Sequence, residues 1–337
     1  MNIEYAEFYI TNVCDLSCNN CNRFNNFNFK GSQKWEDLKD TYSKWASIIS
    51  IDRISILGGE PFTNLDLPNW IKGLRKLWPN TTIFVTSNGN RLKNSHSIIE
   101  VMRANKVNLR VSIHSKDLYD SVKIELDKIL VKPVQKIVEY LPHNLDAWQQ
   151  TYNKIKVDDW PNCNHPNDFE LLPIHIQKEC EEVFSFSKEY FDVFEASTTL
   201  IDETGFSVEL NWYTQFHESA LKYVEGKFEL LNNDPDKAIS ICDQKYCHTF
   251  KDGKLYKCGV SHALPDAIKQ FNIPISNQDA ELFEQYKPAE INWDREQIEK
   301  YINSLKNAET ISICKFCPAE YNPSPIGDVS KKRYKHS

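Results

Sequence analysis

Hydrophobic and polar positions alternate between two periods along the first third of the chain. The runs "AEFYITNV" (6–13), "RISIL" (53–57), "TIFVT" (82–86) and "NLRVSIH" (108–114) are rich in β-branched and aromatic residues and read as strands. Between them, 35–49, 67–78 and 95–105 repeat their apolar residues at helical spacing, and Pro68 stands near the start of the second helix. Strands separated by such helices predict parallel pairing through right-handed crossovers, and so an α/β fold built as an open or complete barrel. In barrels of this kind ligands gather at the C-terminal ends of the strands. Candidate chemistry falls there: Cys14 after the first strand, Gly58 after the second, Ser87 after the third, Ser112 and His114 at the end of the fourth.

The later pattern is less regular. Residues 116–190 read as mostly helical, broken at Pro133, Pro142, Pro161 and Pro166. Residues 198–212 read as two strands around an Asp-Glu-Thr-Gly turn, and 247–258 as a hairpin turning at Asp252-Gly253. An aromatic-rich stretch, 142–216, holds Trp148, Trp160, Trp212 and Tyr213, which could line a pocket or fill a core. The end, "SKKRYKHS", is basic and predicted to be disordered.

Composition narrows the classes. The 337 residues suffice for one large domain and a smaller one. A net charge of −7 and a pI near 5.8 leave no overall cationic field for a nucleic-acid backbone. The N-terminus lacks the basic-then-apolar pattern of a signal peptide, and no stretch approaches the roughly 20 apolar residues of a membrane span. The expectation is a cytoplasmic protein with no membrane partner.

Ten cysteines are many for that compartment. Where disulfides are disfavoured, clustered thiols point to metal or redox work. Cys14, Cys18 and Cys21 form one group; Cys242, Cys247, Cys258, Cys314 and Cys317 form another; Cys163 and Cys180 stand alone and read as plain buried thiols. Four thiolates close a structural zinc site, whereas three leave a metal position open. Soft thiolates also select iron–sulfur clusters.

Two segments carry a resemblance. "CDLSCNNC" (14–21) and "ISILGGEPF" (54–62) resemble the C-x3-C-x2-C and Gly-Gly-Glu-Pro segments of the radical S-adenosylmethionine (radical SAM) superfamily. The chain has only 10 glycines, roughly half the usual share, which gives the Gly58-Gly59 pair more weight. The resemblance implies a partial (β/α)6 TIM-like barrel. It implies that Cys14, Cys18 and Cys21 hold a [4Fe–4S] cluster whose fourth iron binds S-adenosylmethionine. It places the cofactor against Gly58, Gly59, Glu60 and Pro61, then Ser87 and Asn88, and Ser112 and His114. The reaction implied is reductive cleavage to a 5′-deoxyadenosyl radical that takes a hydrogen atom from the substrate. One departure stands out: Asn20 occupies the place of the usual aromatic residue against the adenine, with Phe24 or Phe27 as the nearest substitutes.

Cys242, Gly253 and Cys258, followed by "CKFCP" (314–318), resemble the twitch or SPASM extension of these enzymes, which implies one auxiliary [4Fe–4S] cluster in a smaller C-terminal α+β domain. Five cysteines leave one over, Cys242 or Cys247. A four-cysteine zinc site is the alternative for this group. The expected boundaries are 1–215 for the core, 216–322 for the auxiliary domain and 323–337 for the tail. The expected partners are a small-molecule or short-peptide substrate and a reductase such as a flavodoxin or ferredoxin. A maturase of larger peptides is one alternative, and a non-catalytic structural zinc protein is another.

Overall fold

A computed structural model describes residues 1–140, 196–213, 215–225, 227–242, 244–320, 322–327 and 329. Along the chain lie β1 (Asn2–Tyr9), α1 (Trp35–Ile48), β2 (Ser50–Leu57), α2 (Leu67–Leu77), β3 (Thr82–Ser87), α3 (His96–Ala104), β4 (Val107–Ile113), α4 (Lys116–Ile129), β5 (Pro133–Tyr140), β6 (Ala196–Asp202) and β7 (Ser207–Trp212). There follow β8 (Gln215–His217), β9 (Leu221–Val224), β10 (Lys227–Leu230), α5 (Pro235–Ile241), β11 (His248–Lys251), β12 (Lys254–Tyr256), α6 (Gly259–Gln270), α7 (Asn277–Gln285), α8 (Arg295–Lys306) and β13 (Pro323–Pro325). The result is a mixed α/β sheet fold. The chain divides into two compact units, Met1–Leu109 with Gln215–Ser337, and Arg110–Thr214.

In the first unit the strands run in the order β12-β11-β1-β2-β3. β1, β2 and β3 pair in parallel, with α1 and α2 as the connections. β11 pairs in parallel with the other edge of β1, so residues beyond 215 extend the N-terminal sheet instead of folding apart from it. Aromatic packing fixes this join. Phe8 of β1 stacks on Phe250 of β11 at 4.9 Å and meets the edges of Tyr42 and Trp78. Trp45 of α1 donates to the Gly253 carbonyl at 2.8 Å. Asp252 and Gly253 both take positive φ, 51° and 75°, as a tight two-residue hairpin turn requires. The sheet thereby anchors the hairpin that carries Cys247 and Cys258.

In the second unit the order is β4-β7-β6-β5, with β5/β6 and β6/β7 antiparallel. Asp202 accepts the amides of Thr204 and Phe206 and so shapes the Asp-Glu-Thr-Gly turn read from the sequence. Arg110 grips Glu209 with a two-pronged ion pair at 3.0 and 2.9 Å. Two expectations change here. Residues 133–140, placed in a mostly helical stretch, form β5, in keeping with the β-branched Val134, Ile137 and Val138 after the Pro133 break. The strands β5, β6 and β7 pair antiparallel, so among the described residues the parallel repeat is not carried to a sixth strand. Trp148, Trp160, Cys163 and Cys180 lie outside the described residues.

Candidate active site

β1 ends at Tyr9, four residues before the end of the predicted strand, because the chain then turns away into a closed loop. The neck of that loop is hydrogen-bonded: Asn12 N–H donates to Gly31 O and Gln33 N–H to Ile10 O, both at 2.8 Å, and the Thr11 and Ser32 hydroxyls lie 2.7 Å apart. Asn64 clips it from outside, donating to the carbonyls of Ile10 and Gln33 at 3.0 Å. Cys14, Cys18 and Cys21 hang inside this neck. Within it Asn20 has φ +56°. Asn tolerates left-handed backbone better than an aromatic residue does, which gives a conformational reason for the departure at this position. Phe24 and Phe27 are buried in an apolar cluster with Leu264, Ile313 and Phe316. Neither ring is free to face an adenine, and the idea that one substitutes for the missing aromatic is withdrawn. The far end of the chain roofs the loop. Asn19 N–H donates to Ile326 O and Ser17 N–H to Val329 O, each at 2.9 Å, and Ile326 is buried. Residues 326 and 329, within the stretch assigned to the tail, are therefore bonded to this loop; residues 330–337, for which disorder is expected, lie outside the described residues.

The Gly-Gly-Glu-Pro segment docks on the same loop. Gly59 N–H donates to Thr11 O and Glu60 N–H to Val13 O, both at 2.7 Å. A Cβ at Gly58 would strike the Thr11 carbonyl, and one at Gly59 the Val13 carbonyl. The glycines are needed for two backbones to approach each other, where the sequence suggested approach to a ligand. Pro61 opens a short 3-10 turn, Pro61–Thr63, and Glu60 caps it, accepting Phe62 N–H at 3.0 Å. The same carboxylate accepts the Ser87 hydroxyl at 2.9 Å and Asn88 N–H at 2.7 Å. Its side chain is spent on internal donors, and the Gly59 and Glu60 amides and the Glu60 and Pro61 carbonyls are bonded within the fold as well. Burial pushes Glu60 up to about 7, the nearby Asp15 adds to the rise, and its donors, led by Asn88 N–H, pull against it.

Asp15 was not found from the sequence. It accepts Asn88 Nδ2 at 2.9 Å, Asn90 Nδ2 at 3.0 Å and Arg91 Nε at 3.0 Å. Asn88 Nδ2 also reaches Cys14 Sγ at 3.8 Å. The loops after β1, β2 and β3 thus meet at Cys14–Asp15. Burial pushes the Cys14 thiol well up, and the Glu60 charge pushes the same way. Ser112 and His114 lie in the second unit, on β4 and just after it; there His114 Nδ1 sits 3.0 Å from Tyr213 O, and burial lowers its basicity.

The second cysteine group also gathers. The hairpin register pairs Thr249 with Tyr256 and Phe250 with Leu255; continued two steps, it sets Cys247 across from Cys258, as the sequence predicts. Cys258 caps α6, and Ser261 closes a capping box with it. Cys314 lies in the 3-10 turn Ser312–Phe316, and Cys317 N–H donates to its carbonyl at 3.0 Å. Burial pushes the Cys317 thiol well up, with Cys258, Cys314 and Cys242 as its charged neighbours. Buried Lys257 feels Cys314, Cys258 and Cys242. Cys258 and Cys247 are the thiols whose charge acts on Arg23, after Glu7 and Tyr9.

All eight described cysteines are free thiols. Among the described residues no three His, Cys, Asp or Glu side chains converge closely enough to grip a single metal ion. The fit to iron–sulfur chemistry rests on the donor set: soft thiols alone, three in one closed loop and four or five around Cys258.

Residues 8–164 match the family model described as Radical SAM superfamily. That match spans a little under half of the chain, which makes this segment similar to a radical SAM domain. Members of that superfamily are enzymes, and the chain fits an enzyme. A GTP 3′,8-cyclase of Clostridium perfringens (strain 13 / Type A) is 25% identical over 186 residues, covering 51% of this chain and 56% of the relative. The chain spans about half the length of the curated relative it matches. Among solved structures, Streptococcus suis SuiB bound to S-adenosylmethionine is 22% identical over 37% of this chain and 27% of its own, with a TM-score of 0.29. BtrN in complex with AdoMet and 2-DOIA is 17% identical over 37% and 55%, also at 0.29. At those scores the likeness carries no argument. No helix among the described residues is long and apolar enough to cross a membrane.

The state of Glu60 is testable by pH. Its folded value, about 7, lies above the ordinary 4.5. Its contribution to stability is therefore full below about pH 4.5 and is lost as pH rises through 7. The advantage of metal-free wild type over Glu60→Gln, from urea unfolding, should shrink by on the order of 3 kcal/mol between those pH values. An advantage that grows with pH contradicts the burial.

Proposed function

We propose that the chain is a radical SAM enzyme built on an incomplete β/α barrel, with Cys14, Cys18 and Cys21 as ligands of a [4Fe–4S] cluster that leaves one iron for S-adenosylmethionine. The serial, parallel order β1-β2-β3 supports the barrel. The observation that carries the function is the meeting of three strand-end loops at Cys14, with Asn88 Nδ2 turned to its sulfur and the Gly-Gly-Glu-Pro backbone bonded to its loop. Bound together, the cluster and S-adenosylmethionine supply one-electron cleavage of a carbon–sulfur bond. The chain's residues prepare the place. Asn88 donates toward Cys14 and favours its thiolate; Asp15 holds Asn88; Glu60 fixes Ser87 and Asn88, and the methionine end is assigned to the Gly58-Gly59 segment beside Cys14.

The second group is read as an auxiliary [4Fe–4S] site with Cys242, Cys258, Cys314 and Cys317 as ligands and Cys247 as the spare. The shared charged neighbours of Cys317 and Lys257 favour that set. The substrate is a small molecule or a short peptide segment; a relative named for action on GTP supports the former. A flavodoxin or ferredoxin in the cytoplasm would supply the electron.

The test begins with anaerobic reconstitution, dithionite and S-adenosylmethionine, with 5′-deoxyadenosine as the readout. Wild type should form it. The Cys14→Ala/Cys18→Ala/Cys21→Ala variant should form none and keep its downstream iron and sulfide. Product from the triple variant, or zinc without sulfide in wild type, overturns the reading. Within the triple variant, Cys242→Ser should lose about four irons and Cys247→Ser should keep them; the reverse result exchanges ligand and spare.

A further inference from the structure

Beyond Cys317 the chain returns to the first cysteine loop. β13 pairs antiparallel with β8, setting Ser324 opposite Phe216. Gly327 then takes φ +75°, a turn that glycine adopts without strain. The carbonyls on either side of that turn accept from the loop: Ile326 O takes Asn19 N–H and Val329 O takes Ser17 N–H, each at 2.9 Å. The Ile326 side chain is buried, which anchors the strap by apolar contact. The two amides it engages flank Cys18. Cys18 is also the buried member of its group, whereas Cys14 and Cys21 are half-buried. A backbone N–H has one hydrogen to give. The strap therefore spans the cysteine least open to water and takes up the amide hydrogens on both sides of it.

We propose that the strap from Pro323 to Val329 tunes the first centre: closed over Cys18, it withholds two amide donors and water from the sulfur there and so keeps the reduction potential low. The inference rests on the first-centre reading above. The potential of an iron–sulfur centre depends on hydrogen bonds to its sulfurs and on its exposure to solvent. Reduction adds negative charge, so donors and water stabilise the reduced form and raise the potential. Covering the centre acts in the opposite direction. A low potential suits a centre whose reduced form gives one electron to a sulfonium. That electron comes from the reductase named above; the strap itself gives up neither electron nor proton.

The experiment reconstitutes the full chain anaerobically with iron and sulfide and follows a reductive titration by electron paramagnetic resonance. The signal that changes on adding S-adenosylmethionine belongs to the first centre, which keeps any downstream cluster out of the reading. Ile326→Asp puts a carboxylate in an apolar place and detaches the strap; Ile326→Ala trims the anchor and keeps the backbone. In Ile326→Asp the equilibrium constant for reduction of the first centre should rise about tenfold, an upward shift of 59 mV for one electron. Ile326→Ala should fall between it and wild type, and it carries the comparison if the Asp variant holds no iron. The added negative charge alone would lower the potential, so a rise is owed to uncovering. In the metal-free proteins, iodoacetamide should reach Cys18 of Ile326→Asp about tenfold faster than Cys18 of wild type, read by peptide mass mapping. Variant potentials at or below that of wild type, or Cys18 alkylated no faster, overturn the role of the strap and leave the cluster standing. A wild-type protein with no signal that responds to S-adenosylmethionine overturns the first-centre reading, and the inference with it.

Discussion

Two backbone hydrogen bonds, Gly59 N–H to Thr11 O and Glu60 N–H to Val13 O, hold the centre of this structure. They continue the β1–β2 pairing beyond the last paired residues, Tyr9 and Leu57, into what would otherwise be two independent loops. Everything near Cys14 follows from that extension. It brings Glu60 under the end of β3, where the carboxylate gathers Ser87 and Asn88. It brings Asn88 over Cys14 and Asp15. The requirement for glycine at 58 and 59 is steric and internal, because a side chain at either position would push the two backbones apart.

The same convergence concentrates acids. Glu60 and Asp15 lie close enough to raise Glu60, and Cys14 is held up by burial and by Glu60. Burial and neighbouring negative charge disfavour the ionised forms of Glu60 and Cys14 alike. A positive charge brought close to these two groups would favour their ionised forms. Of the cations nearby, Arg91 pairs with Asp15 at 3.0 Å and Arg23 pairs with Glu7.

Much of the fold was legible because its signals are local. The helices at 35–48 and 67–77, the strands at 50–57 and 82–87, and the Asp252-Gly253 hairpin follow from apolar period and turn chemistry, and all fall within a few residues of expectation. The cysteine spacing and the Gly-Gly-Glu-Pro segment are local signals too, and the structure brings those two segments together. What was missed depends on packing between distant segments. Asp15 is an ordinary loop acid until Asn88, Asn90 and Arg91 arrive from 73 to 76 residues away. Phe24 and Phe27 look available in sequence but are consumed by a core that includes α6. The segment from Pro323 to Val329 reads as the start of a basic tail, yet its backbone bonds to the loop of the first cysteines. Asn20 takes a left-handed backbone that asparagine tolerates well, a property no spacing rule encodes.

The central claim is that the chain assembles this cradle itself, before any cofactor arrives. Residue-resolved amide exchange of the metal-free protein tests it most directly. The amides of Gly59, Glu60 and Asn88 should be protected to a degree comparable with those of β1 and β2, because each is bonded within the fold. Exchange of these three at the rate of open loops, while β1 and β2 remain protected, would show instead that the cradle forms only around its ligand.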